Sequence, residues 1–207
     1  MDAGPLWYAH LWYALAWLSF GLLHSVLAAR SVKDGVGRLL GRSYRLAYNG
    51  FAIVHLGAVW LAGRHLFRGA PSLDLPGWLT TAGDIAFIAG LVVLAVGMRE
   101  YDGGRFLGLT QLRTPEEPED EPLRVAGLHR YVRHPLYSGA FLVLWGHAQT
   151  QSGLATAAWG SLYLVIGTYF EERRLIALYG TDYSAYRKAV PAFFPWKFGP
   201  CKGRAGA

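Results

Sequence analysis

The chain has 207 residues, of which 53% are apolar and only 16% are Asp, Glu, Lys or Arg, against roughly 25% in an average soluble domain. Its net charge of +6 is not gathered into one basic stripe. The arginines flank apolar segments instead, which argues against a nucleic-acid surface and for a bilayer. One cysteine, Cys201, excludes an intrachain disulfide and argues against a Cys-based zinc or iron–sulfur centre, so no metal site is expected.

Five apolar segments follow in chain order. The first covers residues 6–29. No Lys or Arg precedes Arg30, and the segment is too long for a signal peptide, so it reads as a retained helix. The connection that follows reads as a basic turn carrying Val32 and Lys33. The second and third segments, 44–67 and 78–98, also meet the ~20 residues needed to span a bilayer. A long connection, 99–133, contains the run Thr114-Pro-Glu-Glu-Pro-Glu-Asp-Glu-Pro122, whose composition is that of a solvated linker. The fourth segment, 136–146, turns polar through His147-Ala-Gln-Thr-Gln-Ser-Gly153. The fifth runs over 154–170. These two are short and tightly connected, and predict a helical hairpin held more by neighbouring helices than by lipid. Beyond Phe170 the helix continues to a C-cap at Gly180. Thr181 or Asp182 then opens a second helix bearing Tyr183, Tyr186, Arg187 and Lys188 up to Pro191.

Positive charge alternates between the connections. Arg30, Lys33, Arg38, Arg42 and Arg45 fill the first, and the second has only Arg64 and Arg68. The third has six arginines, the hairpin turn has none, and the tail is basic again. The positive-inside rule then places the N-terminus outside and the C-terminus in the cytoplasm, as expected of a bacterial inner-membrane protein. The expected fold is all-α, a polytopic membrane bundle of about five transmembrane helices with a C-terminal cytoplasmic helical segment. It forms a single domain: a three-helix part over 1–98, a loop over 99–126, and a hairpin with C-terminal helices over 127–196.

Two charged clusters fall at one membrane face. In Arg130-Tyr-Val-Arg-His-Pro-Leu-Tyr-Ser-Gly139, Pro135 suits the first turn of a helix, and the residue before it is pushed to an extended conformation. Arg133 and His134 then flank a helix N-terminus that favours an anionic group such as a carboxylate. Tyr137 offers a ring face to a cation, and Gly139 offers close backbone approach. At the far end of the fifth segment stand Glu171-Glu172-Arg173-Arg174. Arg174 can pair with Glu171, whereas Glu172 needs another cation, for which the α-amino group of a cofactor would serve. A ribose diol would suit either carboxylate. Both clusters suit a zwitterionic sulfonium nucleoside, S-adenosylmethionine.

The stretch 127–195 resembles the isoprenylcysteine carboxyl methyltransferase and phospholipid methyltransferase superfamily. The residues that carry it are Arg130-Tyr-x-Arg-His-Pro-x-Tyr-x-Gly139, Glu171-Glu-Arg173, Tyr179-Gly180, Tyr183-x-x-Tyr186 and Val190-Pro191. The N-terminal half, through His24-Ser25-x-Leu-Ala28, Val32-Lys33 and Tyr44-Arg45-x-x-Tyr48, is similar to methanethiol S-methyltransferases and NnrU-type membrane proteins. The resemblance implies S-adenosylmethionine held by Arg133, His134, Tyr137, Gly139, Glu171 and Glu172, and methyl transfer to a thiol, a prenylcysteine carboxylate or a lipid. The expected partners are the bilayer and a small or lipophilic acceptor, with no nucleic acid. A thiol reacts as its thiolate. His24 is the candidate base or orienter, Lys33 a cation that lowers the thiol pKa, and Asp102, near Gln111, a third candidate from the inner loop. Two alternatives stand beside this reading: a non-catalytic NnrU-like sensor or assembly factor, and a membrane haem protein using His10, His24, His55 or His65.

Overall fold

The computed structural model describes residues 6–113 and 122–196. Among them the chain folds into helices α1 Leu6–Ala28, α2 Arg30–Leu40, α3 Tyr44–Leu66, α4 Gly77–Arg99, α5 Gly103–Leu107, α6 Leu109–Arg113, α7 Pro135–Gly146 and α8 Gln151–Ala189, with 3-10 turns at Gly41–Ser43 and Gly127–Arg130. The Pro/acid run over 114–121 and the tail holding Cys201 lie outside the described residues.

Three helices are long and apolar enough to cross a membrane by length and composition: α1, α3 (within Val32–Leu66) and α4. The fourth and fifth expected spans fail that criterion, α7 because it has 12 residues. They are held instead by packing against the longer helices. The hairpin tip lies beside the end of α3 and the start of α4, where Gln149 donates to the Thr80 carbonyl at 3.1 Å and to Asp84 at 2.7 Å. Thr150 caps α8 by accepting from Gly153 N–H at 3.0 Å.

Two kinds of packing hold the bundle. On α1 one stripe is buried, Ala9, Tyr13, Trp17 and Phe20, at spacings that repeat one helix face. It packs on Val59 of α3 and Ala155 of α8. The Tyr13 ring lies on Gly63, and its hydroxyl meets Thr156 Oγ1 at 2.8 Å. The α4–α7 contact uses glycine instead. A β-carbon on Gly90 would stand 2.7 Å from the Val143 nitrogen, and one on Gly146 would stand 2.5 Å from the Phe87 nitrogen. Small residues allow such backbone approach between membrane helices. Gly146→Ala is therefore expected to destabilise the protein by about 1–3 kcal/mol, because backbone rather than a flexible side chain must give way. Thermal unfolding in detergent checks this. Gly167→Ala, with nothing within 4 Å of the added carbon, is the control and should lose nothing.

The basic connection after α1 is not a turn. Residues 30–40 form α2, and Val32 and Lys33 lie within it. Gly35 and Gly37 disguise the helix in sequence, yet Gly41 ends it with φ +52, a conformation glycine adopts at little cost. The expected break at Gly180 is present, with φ 58 and ψ −123 inside α8. It turns residues 181–189 back across the end of the bundle.

Candidate functional site

The Arg-His-Pro turn has the expected local geometry. His134 is the extended residue before α7 (φ −124, ψ 69), and Pro135 opens the helix. The main chain there is pinned by the returning C-terminal segment. Arg133 N–H donates to the Pro191 carbonyl at 2.8 Å and His134 N–H to the Ala192 carbonyl at 3.0 Å. Ser138 Oγ adds a bond to the Phe193 carbonyl at 2.7 Å.

Side chains from α7 and α8 meet at Glu172, which is only 6% exposed. Arg133 donates to its Oε1 from Nε at 2.8 Å and from Nη2 at 2.5 Å. His134 Nε2 lies 3.2 Å from the same oxygen, and Arg187 Nε is 3.0 Å from Oε2. Arg133 also donates through Nη1 to the Arg187 and Val190 carbonyls. Burial alone would raise the Glu172 pKa, but the Arg133 hydrogen bond and charge, helped by His134, hold it below the ordinary carboxylate value.

This arrangement already gives two of the expected cofactor contacts a partner within the protein. The cation beside Glu172 is supplied by Arg133 and Arg187. Arg133 is likewise committed to Glu172 and to backbone carbonyls. Glu171 is the carboxylate left in the open. Its side chain is 44% exposed, and its ion pair is with His134 Nδ1 at 3.6 Å rather than with Arg174.

Beside this lock lies a cavity of about 370 Å³, lined among others by Tyr101, His129, His134, Tyr137, Glu171 and Tyr183. Its size falls in the range of roughly 300–1,000 Å³ typical of small-molecule sites. The Tyr137 ring stacks on His134 with centroids 5.5 Å apart and an interplanar angle of 11°. Tyr183, 1% exposed, presents a buried hydroxyl beside the Arg133 guanidinium, with no hydrogen bond of good geometry among the described residues. Burial pushes its pKa up to about 12, so it remains a neutral donor. A buried hydroxyl and a half-open carboxylate on one aromatic-walled cavity fit a ligand with both cationic and hydroxyl groups.

The other sequence candidates lie apart. Gly139 is buried against α4, where a β-carbon would meet Leu94 Cγ at 2.9 Å, so its missing side chain serves a helix contact there. Asp102 is exposed and caps α5 by accepting from Arg105 N–H at 3.1 Å. Lys33 is exposed on α2. His24 is held at both ring nitrogens, with Tyr48 at 2.6 Å and Tyr163 at 3.2 Å. None of these four lines the cavity. Of the remaining histidines, His55 meets Ser19 at 3.2 Å and His10 meets the Phe67 ring edge-on, with centroids 4.9 Å apart. A larger cavity, about 590 Å³, opens at the opposite end between the end of α3 and the hairpin tip, and it contains none of the candidate residues. His129 is the cavity residue that sequence reasoning missed. It stands immediately before the run that opens at Arg130, but its partner Glu100 is far away in the chain.

Fold and cavity together define a helical membrane protein with a cavity of small-molecule size at one end of its bundle. The chain is 30% identical to a methanethiol S-methyltransferase of Crocosphaera subtropica, over 86% of this chain and 71% of that enzyme. It is 27% identical to methanethiol S-methyltransferase 1 of Bradyrhizobium diazoefficiens, over 86% of this chain and 64% of the relative. A shorter match, 30% identity over 61% of this chain and 44% of the relative, is to the protein-S-isoprenylcysteine O-methyltransferase of Rattus norvegicus. No family model matches the chain, and no solved structure matches it. The chain belongs to the family of membrane methyltransferases that includes these enzymes. It is a transferase, and its chemistry requires a methyl donor.

Proposed function

We propose that the protein transfers a methyl group from S-adenosylmethionine to a small thiol at the cytoplasmic face of the membrane. The observation that carries this is a single cavity lined by the Glu171 carboxylate, the buried Tyr183 hydroxyl and the rings of Tyr101 and Tyr137. The bound donor would supply a methyl already activated by its sulfonium. Glu171 would take the donor's α-amino group or ribose diol, and Tyr183 would donate a hydrogen bond to it. Tyr137 would set a ring face toward positive charge, an interaction of about 2 kcal/mol when desolvated. The lock of Arg133, His134 and Glu172 would hold these walls in place rather than bind the donor directly. Holding the acceptor in line with the methyl and excluding water supplies most of the acceleration.

The thiol is favoured over a prenylcysteine because likeness to the thiol enzymes runs over 86% of the chain, against 61% for the rat enzyme. The cytoplasmic placement is supported by the positive-inside pattern. Three crossings followed by an in-and-out hairpin also return residues 171–196 to the same face as residues 99–133. The test is a labelled-methyl transfer assay on purified protein against methanethiol, a prenylcysteine, a lipid amine and a phenol, read by mass spectrometry. Label must enter the thiol. Label entering another acceptor alone overturns the thiol assignment, and no binding of S-adenosylmethionine overturns the donor.

A further inference from the structure

The inner-loop turn that precedes the Arg-His-Pro motif is built around a carboxylate. Glu100, at the end of α4, accepts from Leu128 N–H through Oε1 at 2.8 Å, and its Oε2 lies 3.0 Å from His129 Nδ1. Gly127, with φ +57, leaves the space, since a β-carbon there would overlap the Glu100 carboxylate. On the other side, Tyr186 donates to the His129 carbonyl at 2.7 Å. His129 is 7% exposed, yet it lines the same cavity as His134, Tyr137 and Glu171. The Glu100 contact fixes the tautomer with the proton on Nδ1. Nε2 is then the acceptor, and the Tyr101 hydroxyl donates to it at 3.4 Å, a long bond at the cavity wall that an acceptor's proton would displace.

We propose that His129 is the base that receives the acceptor's proton, with Glu100 as its positioning residue. This rests on the thiol methylation set out above. The groups facing His129 are Glu100 and Tyr101 from the end of α4, Arg124 and His134 from the loop and turn, and Tyr186 from α8. Burial lowers its pKa below the ordinary imidazole value. The Glu100 hydrogen bond and charge pull it back up, and His134 and Arg124 push it down again. The ring is therefore neutral at pH 7, the form a base needs. In the step, the thiol S–H bond breaks and the proton passes to Nε2. The thiol sulfur forms the new bond to the methyl carbon as that carbon's bond to the sulfonium sulfur breaks. The electron pair of the broken bond stays on the leaving thioether. The imidazolium then releases its proton to water. An Asp- or Glu-oriented histidine serves in the same way to activate nucleophiles elsewhere.

His129→Gln is expected to slow methyl transfer to methanethiol at pH 7 by about 100-fold or more. S-adenosylmethionine affinity by calorimetry should stay within about twofold, since Glu171 and Tyr183 are untouched. The deficit should shrink as pH rises toward the thiol's own pKa, because hydroxide then replaces the base. A deficit that is equal at every pH, or absent at pH 7, overturns the base. Nitrogen NMR on labelled histidine gives a readout independent of turnover: His129 should carry its proton on Nδ1, and a proton on Nε2 instead overturns the proposal. Glu100→Gln should relax that preference and slow the reaction less than His129→Gln does. Wild-type protein that binds the donor but methylates no thiol overturns the acceptor and the base together. Wild-type protein that methylates methanethiol no faster than His129→Gln at pH 7 overturns the base alone.

Discussion

Glu172→Ala will cost the folded protein about 3–5 kcal/mol, the range for removing one partner of a buried ion pair. The loss is large because the carboxylate ties Arg133 to the returning segment from inside, although the apolar cluster of Tyr183, Tyr186 and Val190 also holds that segment. Arg133, at 10% side-chain exposure, would be left as a buried cation facing a hole. Arg187 is half in solvent, and its share is smaller. The readout is the unfolding midpoint in detergent, with Glu171→Ala as the comparison. That carboxylate is half exposed, so its loss should leave the midpoint nearly unchanged. Equal midpoints for Glu172→Ala and wild type would remove the lock from the account. Acidity probes the same group. The Glu172 pKa is lower in the folded state than in the unfolded chain. Its contribution is therefore complete above the ordinary carboxylate range and fades as pH falls through the folded value. Wild-type protein should lose stability below about pH 4 more steeply than Glu172→Ala does.

Glu171→Gln should weaken S-adenosylmethionine binding by about five- to tenfold. This is the loss of about 1–1.5 kcal/mol expected when a hydrogen bond to a charged group, about 1.5–3 kcal/mol, becomes a neutral one of about 0.5–1.5 kcal/mol. Calorimetry in detergent measures it, and the unfolding midpoint should not move. Tyr183→Phe should weaken binding less, by removing a single neutral donor. Unchanged affinity in both variants would move the donor out of this cavity. The pair Glu171→Gln and Glu172→Ala thus separates binding from stability at adjacent positions, one carboxylate in the open and one in the lock.

The membrane helices were legible because hydropathy and length alone specify them. The segments 6–29, 44–67 and 78–98 match α1, α3 and α4 to within one residue at each end. The start of α7 was legible for a local reason, the proline and the restriction it places on His134. The Gly180 break was legible from glycine's tolerance of positive φ. What sequence did not disclose was pairing across distance. Glu172 and Arg187 lie on opposite sides of the Gly180 turn, and Glu100 meets His129 only after the inner loop folds back. Neither pair has a spacing that a helix would make recognisable. Gly139 is ambiguous for the opposite reason. A glycine near a motif suggests ligand approach, yet the same missing side chain serves a close helix contact. α2 was missed because two glycines and scattered charge resemble a turn when read in one dimension.

The fold-back at Gly180 has a consequence for biogenesis. Residues 181–192 supply Tyr183, Tyr186 and Arg187, and the carbonyls of Pro191 and Ala192 that fasten Arg133 and His134. All of the membrane helices leave the ribosome before them. A protein truncated at Gly180 would keep every membrane helix, yet it would lack the cavity walls given by Tyr183 and Tyr186. A stop at that point is therefore expected to yield a chain that enters the membrane with an unfinished chamber.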